Sequence, residues 1–349
     1  MRIALLNRTL WTPRHLSGAI RLGKRWTLRP DGRAPTPLAL AWYVTHACPE
    51  KCNFCNVSRS LEVEYPTLPT TQALQLLDSL VPKIPVVALG GGEPMAHPDI
   101  LQIIRGIHDR RGRVFLVTSG TTMGQNRAKQ LCAEHPEMVM ISLLGDEKTH
   151  DQRMGREGAY QRTIQAVQNI QRHRNPKRTR LILNCTVSPN EIDLLDAVVE
   201  IARANQVDAL RFSWLSFMSP TEFAMEPKAE PYFVLPQDAI DQFAWREMWQ
   251  KVIEIQRQHA DIVQFLPSLN QSDFEAWFAG QGVQRACLSL WHTLFMRPDG
   301  SVVPCGHMQE DAVGDLRTQS LEAVWNDPRF MQLRMQQREA PFPMCGRCC

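Results

Sequence analysis

Long apolar runs are missing from this chain of 349 residues. None reaches the ~18 residues of a membrane span. The N-terminus lacks a compact apolar segment followed by a small-residue cleavage site, so no secretory signal is read. The ten cysteines are not dispersed as a disulfide framework would be. They bunch in short metal-ligand spacings, which favours a reducing compartment with metal sites. These absences predict a cytoplasmic, oxygen-sensitive protein with no transmembrane segment. The charge balance is close to neutral at +3, and no nucleic-acid partner is expected. What remains is bulk. With 44% hydrophobic and 21% charged residues, the chain can bury one large core and a smaller one.

The charge is unevenly placed. Residues 1–33 hold eight basic side chains, Arg2 to Arg33, against Asp31 alone, with Leu10, Trp11, Leu16 and Trp26 between them. Such an arm suits an anionic substrate, a partner or a lipid surface, or is a solvated flank packed on the domain. Pro13, Gly18 and Gly23 interrupt any long helix there.

The chain is organised around Cys48-Pro49-Glu50-Lys51-Cys52-Asn53-Phe54-Cys55. This loop follows an apolar run, Leu38 to Val44, that reads as a strand. Three thiolates from one loop can hold three irons of a cubic cluster, and no fourth Cys lies nearby to close the last iron. Inert core cysteines or an incomplete zinc site are the alternatives. Zinc knuckles use C-x2-C, and the x3 spacing fits them poorly.

The C-x3-C-x2-C loop, with an aromatic before its last Cys, resembles the cluster loop of the radical S-adenosylmethionine (SAM) superfamily. The resemblance implies a [4Fe-4S] cluster on Cys48, Cys52 and Cys55, whose open iron chelates SAM, with Phe54 near the adenine. Reduction cleaves SAM, and a 5′-deoxyadenosyl radical takes hydrogen from a substrate. It also implies an electron donor such as flavodoxin or ferredoxin.

Later segments extend the likeness. Val86 to Leu89 is a short buried strand running into Gly90-Gly91-Gly92-Glu93-Pro94, where missing side chains let backbone approach a ligand. This resembles the family's GGE motif, so Gly91, Gly92 and Glu93 are expected to hold SAM. The stretch from Ser142 to Gly155, with His150, Asp151 and Arg153, resembles the pattern in which Ser and Arg contact SAM. Here those are Ser142 and Arg153, although Leu144 stands where the pattern has Asp. Asn184, on a later strand, is a further candidate contact, or a buried Asn bonded to backbone.

Six strands alternate with helices: 38–44, 86–89, 114–118, 138–143, 181–187 and 209–214. The expectation is a parallel sheet, too short for an eight-unit barrel. A partial (β/α)6 barrel fits, and is the fold that the resemblance implies. Residues 219–236 read as a long loop and 238–259 as a helix with Trp245 and Trp249 in the core.

The last 63 residues carry a second thiol set. Cys287 precedes an apolar strand, 290–296. Arg297-Pro298-Asp299-Gly300 is a turn, Ser301 to Pro304 returns to Cys305, and Cys345-Gly346-Arg347-Cys348 is a C-x2-C bite. Four thiols from a hairpin and a knuckle complete a site for a cluster or for zinc. The spacing around Gly300 resembles the SPASM and Twitch extensions, which implies an auxiliary [4Fe-4S] cluster on Cys287, Cys305, Cys345 and Cys348. Cys349 is expected to stay outside it.

The expected organisation is a basic arm over 1–37, a barrel over 38–218, a loop and linking helix over 219–280, and a hairpin-plus-helix cluster domain over 281–349. The expected activity is hydrogen abstraction from a biosynthetic substrate, with the second cluster accepting an electron in an oxidation or epimerisation. Without an ~80-residue leader-binding domain before the barrel, a small metabolite of aminosugar or antibiotic-precursor type is favoured over a ribosomal peptide. A non-catalytic electron carrier is the rival from another class. A base or hydrogen donor is sought among Cys185, His292, His307 and Asp315.

Overall fold

The computed structural model describes residues 31–55, 66–225, 234–266, 269–281, 287–308, 312–340 and 342–348. The basic residues before position 31 and Cys349 lie outside them. One ten-stranded sheet organises the molecule: β1 (Ala39–Thr45), β2 (Val86–Gly91), β3 (Arg113–Thr118), β4 (Met138–Ser142), β5 (Arg180–Val187), β6 (Ala209–Trp214), β7 (Val263–Leu266), β8 (Thr293–Met296), β9 (Ser301–Val303) and β10 (Gly314–Asp315). Their spatial order is β10-β9-β8-β1-β2-β3-β4-β5-β6-β7. From β8 through β1 to β7 every pair is parallel, while β9 and β10 add antiparallel edges.

Helices make the crossovers that parallel strands need: α1 (Thr70–Leu80), α2 (Ile100–Asp109), α3 (Gln125–Ala133), α4 (Glu147–Met154), α5 (Ala159–His173) and α6 (Leu195–Ala204). Alternate strand residues serve two different cores. Leu40, Trp42, Leu89, Leu116, Ile141, Leu183 and Phe212 face the helices in the main core. Ala39, Val86, Phe115, Met138, Met140, Ile182 and Ala209 form a separate apolar floor on the inner face.

The structure departs from the sequence reading in four places. A seventh crossover strand, β7, extends the parallel sheet beside β6; its four residues are too few for periodicity to reveal. The expected loop after position 219 opens with a short helix, α7 (Pro220–Met225), and residues 226–233 lie outside the described set. The long helix α8 (Gln242–Gln258) starts later than expected, where Asp241 caps it by accepting the Phe243 N–H at 2.9 Å. Finally, the expected strand over 290–296 begins as a helical turn, α10 (Ser289–His292), after α9 (Gln271–Phe278). The hairpin β8–β9 is continuous with the main sheet because β8 pairs with β1, Ala39 opposite Thr293. Trp245 is buried as expected against Trp214 and Trp277, with ring centres 6.2 and 5.4 Å away, whereas Phe243 is 81% exposed. The chain closes with α11 (Leu321–Trp325) and α12 (Pro328–Glu339).

Candidate active site

The parallel strands β8 and β1 to β7 all end at one edge, the usual place for ligands in parallel sheets. The three-thiol loop leaves β1 there. Its backbone is tied to the end of α4: Lys51 N–H donates to the Met154 carbonyl at 3.0 Å and Asn53 N–H to the Arg153 carbonyl at 3.2 Å. Gly155 permits this approach. It has φ +62°, and a Cβ there would lie 2.6 Å from the Lys51 carbonyl oxygen. The glycine is therefore needed where the loop docks.

Arg153 spans from the loop to β5. Its guanidinium sits over the Phe54 ring, 4.7 Å from the centroid, donates to the Thr186 carbonyl at 2.7 Å and pairs with Glu191 at 3.4 Å. Phe54 and Arg153 are thus brought together in the structure.

The glycine turn is more specific than the sequence suggested. Gly91 and Gly92 are filled by protein: a Cβ on Gly91 would meet the Thr45 carbonyl oxygen at 2.4 Å, and one on Gly92 the Ala47 carbonyl oxygen at 2.4 Å. They let β2 lock the base of the thiol loop, and Gly92 N–H donates to the Thr45 carbonyl at 2.8 Å. Gly90 is the one with open space where its side chain would be. It is paired with Tyr43 of β1.

Glu93 is 1% exposed. One oxygen accepts from Met95 N–H and the Thr118 hydroxyl, and the other from Ser119 N–H and the Ser119 hydroxyl, at 2.6–2.9 Å. Burial pushes its carboxyl above the usual range while those four donors pull it back.

Ser142 and Asn184 meet across the sheet. They are in register with each other, Asn184 with Arg211, and Arg211 with Gln264. Two residues further down the same face lie Met140, Ile182 and Ala209 of the apolar floor. A polar row with one cation therefore lines the inner face above a greasy base. Asn184 also accepts from the Ser213 hydroxyl at 2.7 Å.

Burial is the first cause that raises the loop thiols: Cys48 moves well up, and Cys52 is pushed up to about 12, with Cys55 adding to it. The second set behaves alike. The Cys345 thiol is raised by burial first, then by Cys348, Cys305 and Cys287; the Cys305 thiol, at about 12, feels Cys348 and Cys287. Four thiols from distant parts of the chain thus share one locality. No group of three Cys, His, Asp or Glu among the described residues is suited to a single metal ion. Four thiols in one locality suit an iron–sulfur cube or a zinc ion alike.

The knuckle is fastened by its middle. Arg347 donates to both Glu222 oxygens at 2.6 and 2.8 Å and twice to the Phe278 carbonyl, and stacks over Phe217 at 4.6 Å.

Three of the four residues among which a base or donor was sought lie away from the inner face. Cys185 alternates with Asn184 and so points into the helix-side core, 1% exposed. His292 precedes β8, at the opposite end of the sheet from the loop. Asp315 is paired with Arg317 at 2.6 Å on the outer edge. His307 stays beside Cys305. The sequence reading also missed Glu50, Ser119, Thr121, Arg156 and Arg211. Strand alternation from Ala209 would have placed Arg211 on the inner face, and an acid between two cluster thiols was itself a signal.

Comparison with known proteins agrees with this geometry. Residues 42–213 match the family model of the Radical SAM superfamily, and residues 287–349 match the SPASM iron–sulfur cluster-binding domain. The chain is 26% identical over 327 residues to an AdoMet-dependent heme synthase of Methanosarcina barkeri, covering 89% of this chain and 88% of that one. It is 24% identical over 306 residues to a PqqA peptide cyclase of Ruegeria pomeroyi, covering 85% and 75%. In fold it is similar to the crystal structure of Streptococcus suis SuiB bound to S-adenosylmethionine, with a TM-score of 0.66 at 16% identity, covering 91% of this chain and 72% of that chain.

Proposed function

This chain belongs to the radical SAM superfamily and carries a C-terminal SPASM domain, and from that premise we propose that it oxidises a small, carboxylate-bearing biosynthetic substrate. When bound, SAM and the two [4Fe-4S] clusters supply a 5′-deoxyadenosyl radical for hydrogen abstraction and an acceptor for one further electron. Cys48, Cys52 and Cys55 would hold the first cluster, and Cys287, Cys305, Cys345 and Cys348 the second. Phe54 and Arg153 form one wall of the SAM pocket, Glu93 supplies a buried carboxylate for its amino group, and Gly90 leaves room beside Tyr43.

The observation that carries the substrate class is the row Ser142–Asn184–Arg211–Gln264 over an apolar floor. The half-buried Arg211 guanidinium, with Nη1 3.8 Å from the Met140 sulfur, would orient a carboxylate through paired donors. The heme-synthase relatives make a porphyrin bearing carboxylate side chains the first candidate. A peptide is the second, favoured by the cyclase relative.

The test uses reduced protein with SAM and either candidate class, following 5′-deoxyadenosine and product mass. The carboxylated small molecule should be consumed. Arg211→Met should keep the slow cleavage of SAM without substrate but lower product formation at least tenfold, as loss of a charged hydrogen bond of about 1.5–3 kcal/mol requires. Turnover of peptides alone, or full product formation in Arg211→Met, would contradict the reading.

A further inference from the structure

Glu50 lies inside the thiol loop, between Cys48 and Cys52, and is 1% exposed. One carboxylate oxygen, Oε2, is 3.4 Å from the Cys48 Sγ and 3.4 Å from the Ser119 hydroxyl. The other accepts the Thr121 hydroxyl and pairs with Arg156 Nη1 at 3.0 Å. Arg156 is itself about one-third exposed, 35% by side chain, so it offsets the buried charge from the solvent side only.

The metal-free Cys48 thiol can donate to this carboxylate. A metal-bound thiolate has no proton to give, and Glu50 then stands as a negative charge against the ligand sulfur. Ser119 also holds Glu93 at 2.6 Å, so two buried carboxylates share one hydroxyl beside the loop, with Arg156 on one of them. The potential of an iron–sulfur cluster follows its local charge, its hydrogen bonds and its burial. In a buried, low-dielectric setting, a unit charge at contact distance acts strongly.

We propose that Glu50 sets the reduction potential of the cluster on Cys48, Cys52 and Cys55, holding it low, with Arg156 as the counter-charge that limits the effect. The proposal rests on these three thiols carrying the cluster. Glu50 acts on the cluster through Cys48 and does not touch substrate. A low potential makes the reduced cluster a stronger donor, which suits the reductive cleavage of SAM.

The experiment is an anaerobic potentiometric titration of the reconstituted holoprotein, followed by the electron paramagnetic resonance signal that changes on adding SAM. That change marks the first cluster rather than the second. Glu50→Gln keeps the shape and removes the charge, and its midpoint should move to a more positive potential. Glu50→Asp restores the charge and should return most of the way to wild type, which a purely structural role would not produce. Arg156→Gln should move the midpoint the other way. If Glu50→Gln fails to hold its cluster, the Arg156→Gln arm decides alone. A midpoint that is unchanged or lower in Glu50→Gln, or unchanged or higher in Arg156→Gln, overturns the proposal. A wild-type protein with no SAM-responsive signal would instead defeat the cluster assignment on which it rests.

Discussion

Replacing Cys48, Cys52 and Cys55 together by alanine is expected to reduce the iron of the anaerobically reconstituted protein from about eight to about four atoms per chain. It should also abolish reductive cleavage of SAM. The reason is geometric. The three thiols belong to a loop fixed to α4 through Lys51 and Asn53, whereas the other four thiols sit around β8, β9 and the Arg347-anchored knuckle. The two sets share no element of the chain, so a second cluster is expected to survive loss of the first. Replacing Cys287 and Cys305 should give the complementary result, with about four irons left and SAM cleavage to 5′-deoxyadenosine retained. Four irons in the wild type, or tightly bound zinc, would contradict the two-cluster assignment.

The largest effect on stability is expected at Arg334 in α12, which bonds the turn that follows Cys287. It is completely buried. Its guanidinium donates to the carbonyls of Leu290, Gly32 and Trp325 at 2.8, 3.1 and 2.7 Å, and lies 4.2 Å from the ring centres of both Trp325 and Phe330. One side chain thus joins the segment before β1, the turn that leads into β8, and α11. Arg334→Met keeps volume but strands three buried carbonyls, at about 1–3 kcal/mol each before relaxation, so a loss of roughly 3–5 kcal/mol is expected. Anaerobic urea unfolding followed by tryptophan fluorescence measures it. Arg334→Lys should fall between, since a point charge cannot match the planar fork. A loss under about 1 kcal/mol for Arg334→Met would mean that water or backbone movement replaces the lost donors.

The alternating strands and helices were legible because each buried strand is a short apolar run closed by a polar or glycine turn, as in Val86 to Gly92. The thiol loop, the glycine turn and the C-terminal knuckle were legible because their chemistry depends on local spacing. What escaped was set by tertiary contact. β7 has four residues and gains its identity only beside β6. The helical turn at Ser289–His292 replaces the first half of an apolar run that reads equally well as strand. Gly91 and Gly92 were assigned to SAM from their motif, and tertiary contact adds a packing reason invisible in the sequence: a Cβ at either would meet the Thr45 or Ala47 carbonyl oxygen at 2.4 Å. Glu50, Thr121 and Arg156 are drawn together from separate elements, and no linear spacing encodes that set. Cys185 was misplaced for a simpler reason: it follows the inward-facing Asn184, and adjacent strand residues face opposite ways.

The central claim is that this fold cleaves SAM reductively at the Cys48–Cys55 loop. Its most direct test is to mix the reduced, cluster-loaded protein with SAM under anaerobic conditions and quantify 5′-deoxyadenosine. The account predicts 5′-deoxyadenosine from the wild type and none from the triple-alanine variant. A wild type carrying about eight irons that forms no 5′-deoxyadenosine, with or without candidate substrates, would leave only an electron carrier and would contradict the account.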